Sequence, residues 1–435
     1  MSMERSPIDS KIAQDIGIDL KSLSAQKLEE WQLAEIRKLL AYVGRSRFYR
    51  ERLAGIDPDS IRTVDDFRKL PLTSESDLAG HENSLLCISP GEVTRMVTVP
   101  TTGTTGGSKR LAFTGSDLMR SLKFITVAYT TFMHEGDRMI VMMSGGTQGS
   151  IGDVVKHSMD QLGAETCIYG PVSDIRDAYE KVREWKPDVI TGIPVQMAAL
   201  ARYCELQARE TAEGDGLVQI REVLLSADDV PDAICDRLRR VWGSRVFRHF
   251  GMTELCIAGG CECCADMGYH LRHSDHYFEV IDPDEDGYGE LAVTTFHHQA
   301  MPLLRYRTGD IGRIDRSVCA CGSPLPRLIG PRGRISNSIP PVGEDEPRWS
   351  SSVFIRDLEE IIFREPAVID FECERHDREI SICLKHFPGD MPDTASVSSK
   401  LRGILDKAGI SVKVTESEMD CFEKVYNSKK KIVFR

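Results

Sequence analysis

Between residues 138 and 250 the chain alternates short apolar runs with amphipathic stretches, and no other feature restricts the fold as much. The runs at 138–143 (RMIVMM), 166–169 (TCIY), 188–191, 222–227 (EVLLSA) and 245–250 read as strands. The stretches at 153–162, 174–185, 195–208 and 231–242 read as helices. A strand that is apolar at successive positions presents apolar side chains to both faces, so both faces must be covered. A helix between each pair of strands supplies the cover and makes neighbouring strands parallel. Ligands of such sheets bind beyond the carboxyl ends of the strands, where SADD (226–229) and GMTE (251–254) lie.

Outside this run the texture differs. Leu28, Trp31, Ile36, Leu39, Leu40 and Val43 form a helical stripe. After Asp275 the chain turns to shorter strands, and FEVIDPDEDGYGELAVTTF has the Asp/Pro/Gly punctuation of a β-hairpin. The polar, proline-containing passage 333–348 reads as a linker. Beyond it a helix (355–363), two strands, a further helix (396–407) and a last strand predict a small α+β domain. At 435 residues the chain is too long for one ordinary core. The expected division is 1–334, an α/β domain with mainly parallel sheets flanked by helices and a β-rich subdomain, and 335–435, the small C-terminal domain.

A net charge of −12 with no long basic run argues against nucleic acid or an anionic membrane as partner. The start, MSMERSPIDSKIAQDIG, does not resemble a signal peptide, and no stretch reaches transmembrane length. A cytoplasmic location is therefore expected. In that compartment the 13 cysteines are thiols or metal ligands rather than disulfides.

Five stretches carry chemistry. Thr101-Thr102-Gly103-Thr104-Thr105-Gly106-Gly107-Ser108-Lys109 is a Gly/Thr run closed by a cation. Such a loop can turn amide N–H groups and hydroxyls onto a polyphosphate, although it lacks the Gly-Lys-Ser/Thr ending of a Walker loop; a surface turn is the plainer alternative. His249-Phe250-Gly251-Met252-Thr253-Glu254 follows a predicted strand, where an aromatic and a glycine can frame a purine and the acid can hold Mg²⁺. In Arg305-Tyr306-Arg307-Thr308-Gly309-Asp310 a turn would place a carboxylate at its tip, suited to ribose hydroxyls. Gly333-Arg334 and the lysine-rich stretch ending at Lys431 are weak signals taken singly.

The cysteines form a sixth group. Cys261, Cys263, Cys264 and His270 precede Cys319-Ala320-Cys321-Gly322 across the predicted hairpin. Thiolates in pairs with an imidazole supply ligands for tetrahedral Zn²⁺; a set of small buried thiols is the other reading. His273, His276, His297 and His298 read as surface or hydrogen-bonded residues.

The order of the pieces is more specific than any one of them. The Thr/Gly loop, SADD, FGMTE, YRTGD, Gly-Arg and a C-terminal lysine together resemble the motif series of the adenylate-forming superfamily. SRFYRERL and LPLTSESDL ahead of the loop resemble its phenylacetate–coenzyme A ligase branch. The resemblance implies that Thr101, Thr102, Gly103, Thr105, Gly106 and Lys109 close over the phosphates of ATP. Ala227, Asp228, His249, Phe250, Gly251, Met252 and Thr253 would surround the adenine, and Thr104 and Glu254 would bring Mg²⁺ to the phosphates. Asp310 and Arg334 would bind the ribose. Lys429 would be the catalytic lysine carried by a mobile C-terminal domain turning near Ser336. The implied reaction is activation of a small carboxylic acid, aryl or arylalkyl, to an acyl-adenylate, followed by transfer to coenzyme A. The resemblance also implies a structural Zn²⁺ on Cys263, His270, Cys319 and Cys321, within 261–321, and allows a homodimer. Ser108, Ser336, Asn337 and Ser428 depart from the family's usual residues, and Lys430 and Lys431 compete with Lys429. A carrier-protein thiol, AMP transfer to a cofactor, or a non-catalytic nucleotide-binding homologue are the alternatives.

Overall fold

The structure, a computed structural model of the chain, describes residues 4–100, 108–147, 149–210, 218–343, 349–419 and 432–434. It divides into two compact units, Met1–Thr131 with His249–Pro331 and Phe132–Arg248 with Arg332–Arg435.

The second unit contains the strand–helix alternation. Its strands run parallel in the order Arg245–Phe250, Glu222–Leu225, Val189–Gly192, Arg138–Met142, Glu165–Ile168. Every residue of Val189–Gly192 and Glu222–Leu225 is buried, the polar Thr191 donating to the Leu224 carbonyl and Glu222 paired with Arg245. Helices Ile151–Leu162, Ile175–Trp185, Pro194–Glu210 and Asp232–Trp242 connect the strands. Left-handed glycines, Gly163 and Gly243, end the first and last of these, because only glycine adopts that conformation freely. In the C-terminal part a four-stranded sheet orders Ser411–Glu418, Glu379–His386, Val368–His376 and Ile432–Phe434. Its Val368 and Phe371, with Leu401 of the helix Thr394–Leu405, share one core with Val223, Leu238 and Trp242.

The first unit is antiparallel. Its strands follow the order His276–Ile281, Gly289–Thr295, Tyr306–Asp315, Arg327–Arg334, Tyr269–Leu271, Gly260–Glu262. A separate hairpin pairs Arg95–Pro100 with Ser108–Phe113, so the Thr/Gly run is the connection between its two arms. Helices Pro7–Asp15, Ala25–Val43 and Gly115–Tyr129 complete the unit, and Ile36, Phe67, Phe250, Tyr277, Val293 and Leu304 form its core.

The hairpin expected from FEVIDPDEDGYGELAVTTF is present, with His276–Ile281 antiparallel to Gly289–Thr295. YRTGD differs from expectation, because no turn forms there and the motif lies inside the strand Tyr306–Asp315. Part of the expected linker is ordered, since Ser338–Ile339 pairs with Val353–Phe354. Among the described residues no helix is long and apolar enough to cross a membrane.

Candidate functional site

Strand alternation decides where Lys109 points. Along Ser108–Phe113, Ser108 and Arg110 are exposed while Lys109 and Leu111 face inward, so the lysine is carried into the interior. Only 3% of its surface is exposed, and a buried ammonium needs acidic partners. Its Nζ lies 2.6 Å from Glu254 Oε1 and 2.8 Å from Glu75 Oε1, and donates to the Tyr306 hydroxyl at 3.1 Å. That hydroxyl in turn donates to Glu254 Oε1 at 3.2 Å. Burial disfavours the charge on Lys109, but Glu254 and Tyr306 outweigh it and hold the amine protonated above the ordinary lysine range.

Each partner arrives on its own element. Thr73 bridges to Tyr306, exchanging backbone hydrogen bonds with Arg305 (3.0 Å) and Arg307 (2.8 Å). Ser74 then caps the short helix Glu75–Leu78, which sets Glu75 beside the lysine. Glu254 lies in the 3₁₀ turn Thr253–Leu255, after the strand that ends at Phe250. Gly251 has no substitute there: a Cβ would sit 1.9 Å from the Ile257 carbonyl oxygen and 2.6 Å from His249 Cε1. His249 is half-buried, and its desolvation pushes the imidazole down to about 4, so it is neutral at ordinary pH.

Asp310 owes its position to a bulge. Opposite it, Glu290 pairs with Ile311 and Ala292 with Arg307, so Thr308, Gly309 and Asp310 together face Leu291 alone. Gly309 takes φ +75, and the Thr308 hydroxyl accepts from Asp310 N at 3.1 Å. Bulges re-aim side chains relative to the ladder, and Asp310 lies within this one.

In the second unit the strand Glu222–Leu225 leads into Ala227, whose φ of +77 lies in the left-handed region that disfavours a Cβ. Asp228 follows and accepts from Asp229 N at 3.0 Å. Arg334, half-buried, ends the strand Arg327–Arg334. Thr101, Thr102, Gly103, Thr104, Thr105, Gly106 and Lys429 lie outside the described residues. Glu75, and Tyr306 as a hydrogen-bonding residue, are additions that sequence reasoning missed. The only signal was a lysine on the inward side of a strand, which demands a carboxylate without saying which.

A second cluster sits elsewhere in the first unit. The ligand atoms of Cys263, His270, Cys319 and Cys321 all lie within 4.8 Å of one another, and all four residues are buried. Cys263 Sγ is 3.8 Å from Cys319 Sγ, and Cys321 Sγ is 3.7 Å from His270 Nε2. No described cysteine is in a disulfide. Cys261 is buried outside the cluster and Cys264 is exposed. Of the other histidines, His273 is hydrogen-bonded as expected, its Nε2 2.8 Å from the Pro326 carbonyl, whereas His276 and His298 depart from expectation, buried with neither ring nitrogen hydrogen-bonded.

Comparison with known proteins identifies the family. Residues 64–286 match the family model described as AMP-binding enzyme. The phenylacetate–coenzyme A ligase of Thermus thermophilus is 29% identical over 74% of this chain and 73% of its own length. That of Escherichia coli is 26% identical over 72% and 71%. Among solved structures, a 2-hydroxyisobutyryl-CoA ligase in the postadenylation state, in complex with 2-HIB-AMP, superimposes with a TM-score of 0.76. It is 16% identical, covers 95% of this chain and 90% of its own, and supports the fold. The chain belongs to the AMP-binding enzyme family and to its phenylacetate–coenzyme A ligase-like branch.

Proposed function

We propose that the protein is an AMP-forming acid–thiol ligase that activates a small carboxylic acid, aryl or arylalkyl, and passes it to coenzyme A. The observation that carries the reading is the Lys109–Glu254–Tyr306 tie. It joins the strand leaving the Thr/Gly loop, the turn after FGMTE and the YRTGD strand into one buried ionic knot. In the first half-reaction the carboxylate oxygen attacks the α-phosphorus of ATP in line and pyrophosphate leaves. In the second the thiol sulfur attacks the acyl carbonyl and AMP leaves. Neither step needs a protein nucleophile; alignment and charge neutralisation supply the rate.

In this reading Thr101, Thr102, Gly103, Thr105 and Gly106 hold the phosphates, with Lys109 anchoring the base of their loop. His249, Phe250, Gly251, Met252, Thr253, Ala227 and Asp228 receive the adenine. Asp310 and Arg334 bind the ribose, and Lys429 approaches the reacting phosphate from a lid formed by 335–435. Glu254, a hard oxygen ligand fixed by Lys109, and Thr104 suit Mg²⁺, which when bound neutralises phosphate charge. The cysteine–histidine cluster suits structural Zn²⁺. A tetrahedral site with Zn–S bonds of about 2.3 Å requires sulfurs about 3.8 Å apart, and Cys263 and Cys319 have that spacing. Three thiolates and an imidazole close the coordination shell, so the site is structural rather than catalytic. We place the enzyme in the cytoplasm, with a homodimer as the assembly for sedimentation to test.

Pyrophosphate release across a panel of carboxylic acids, with and without coenzyme A, tests the reading. Coenzyme A-dependent AMP formation is expected. Pyrophosphate exchange without coenzyme A consumption would move the acceptor to a carrier thiol or a cofactor. ATP binding without turnover of any acid in the panel would count against catalysis.

A further inference from the structure

Asp9, on the first helix of the chain, is completely buried, and nothing in the adenylation chemistry uses it. Its Oδ1 lies 3.9 Å from His270 Nδ1, while His270 Nε2 faces Cys321 Sγ at 3.7 Å. The imidazole thus turns one nitrogen to the sulfurs and the other to a carboxylate. We propose that the helix Pro7–Asp15 is the outer shell of the four-residue metal site, with Asp9 as the positioning residue for His270, so that zinc occupancy and docking of this helix are coupled. The inference rests on the zinc reading above and adds to it a role for residues 5–9.

Ser323 ties this segment to the cluster. The Ser323 hydroxyl, two residues beyond Cys321, donates to Asp9 Oδ1 at 2.8 Å. The Ser323 carbonyl accepts from Cys319 N at 2.9 Å and closes the turn that carries both cysteines. Arg5 Nε donates to the other oxygen, Asp9 Oδ2, at 2.7 Å and supplies the countercharge. A histidine bound to metal through one nitrogen donates its other N–H to such a partner, which fixes the ring and strengthens the ligand. Ile8 and Ile12 are buried beneath the helix, and Ser274 donates to Asp15 at its far end at 2.7 Å.

The coupling follows from charge and geometry. With zinc in place, the Cys319–Ser323 turn and the His270 ring are fixed, and Asp9 keeps its partners. Without it, three buried sulfurs lose the cation that justifies their packing, the turn loosens, and a buried carboxylate is left short of donors. The helix then releases.

The experiment compares wild type, Asp9→Asn and Ser323→Ala. Zinc affinity is read by competition with a chromogenic chelator, and amide exchange of residues 8–15 is measured with and without chelator. Wild type is expected to hold about one zinc, and chelation should speed exchange of this helix at least about tenfold, since buried helices exchange only on opening. D9N should bind zinc roughly 10–100-fold more weakly, and zinc should protect its helix less than in wild type. A purely structural Asp9 would change exchange equally in both metal states. Normal zinc affinity in both variants, or wild-type exchange unaffected by chelation of bound zinc, would overturn the coupling and leave the zinc site standing. Wild type that takes up no zinc overturns both.

Discussion

Lys109 Nζ is 2.6 Å from Glu254 Oε1, and the two side chains are only 4% and 5% exposed. Removing one partner of such a pair leaves the other charge stranded, which costs more than the pair contributes while intact. Lys109→Met should therefore lower the free energy of unfolding by about 3–5 kcal/mol, with Glu75 partly relieved by water because it is 31% exposed. Adding Glu254→Gln to it should recover most of that stability and none of the pyrophosphate release, because the carboxylate that would hold Mg²⁺ is gone. Urea unfolding alongside the pyrophosphate assay separates the two effects. A double variant no more stable than the single would show that the knot is not an ion pair at heart.

Two glycines allow steric and dihedral effects to be told apart. At Gly251 a methyl group would meet backbone, the Ile257 carbonyl at 1.9 Å. At Gly309 the same methyl would meet nothing within 4 Å, yet φ is +75. Gly309→Ala should cost about 1–2 kcal/mol, the penalty of a left-handed alanine. Gly251→Ala should cost at least the roughly 1–3 kcal/mol of an overpacked core and also weaken AMP binding, since the whole turn to Glu254 must open. Thermal unfolding with calorimetric AMP titration checks the order; equal losses at the two sites would refute it.

The same residues show where the sequence was legible. Strands such as Arg138–Met142 were readable because a strand buried on both faces reads as a near-continuous apolar run, here Met139 to Met142. Asp310 was misplaced because Thr-Gly-Asp carries turn chemistry, and a three-against-one bulge uses the same left-handed glycine as a turn. The pairing of Arg95–Pro100 with Ser108–Phe113 was missed because polar residues interrupt both arms, Thr98 in the first and Lys109 and Arg110 in the second. Glu75 and Asp9 were invisible for another reason: each matters through a partner distant in the chain, and no local pattern encodes that. His276 and His298 read as polar, yet they sit in the core as aromatic rings, edge to face at 5.6 Å.

Those histidines set a pH dependence. Burial pushes His298 down to about 4 and holds His276 well below its ordinary value. In the unfolded chain each titrates near about 6.5, so between these values the unfolded state binds more protons than the folded one. Stability therefore rises with pH across that window and is lost as pH falls from about 6.5 toward 4, by roughly 1.4 kcal/mol per pH unit for each histidine. His298→Phe should keep the edge-to-face contact with Phe113, 5.7 Å between centroids, and remove one proton from the slope. The variant should match wild type at pH 7.5 and exceed it at pH 5. Urea midpoints across that range check this, and an unchanged slope would mean that His298 is protonated in the fold.

Lys429 carries a kinetic prediction. Its amine is assigned to the phosphate in the first half-reaction only. Lys429→Ala should then slow pyrophosphate release by about 10²-fold or more, as loss of a transition-state charge partner does, while thioester formation from supplied acyl-adenylate changes little. Lys430→Ala and Lys431→Ala should leave both steps near wild type. Equal loss in both half-reactions would remove Lys429 from that role.

Arg237 tests how firmly the C-terminal part is held within its unit. The guanidinium, 2% exposed, donates to the carbonyls of Val368 (2.7 Å), Phe363 (2.9 Å) and Glu365 (2.8 Å). Burial lowers it to about 10, so it stays charged at neutral pH. No shorter or apolar side chain can serve three carbonyls, because each bond uses the fixed fork of the guanidinium. Arg237→Met would leave these acceptors without their donors, each at about 1–3 kcal/mol; Arg237→Lys should recover part of that through one remaining bond. If 335–435 acts as a lid, these contacts restrain it, and loosening them should change the ratio of thioester formation to adenylation as well as stability. Amide exchange across Val368–His376, read beside both half-reactions, distinguishes the cases. Faster exchange with an unaltered ratio would mean that the restraint is structural and that the lid, if it moves, carries the helix bearing Arg237 with it.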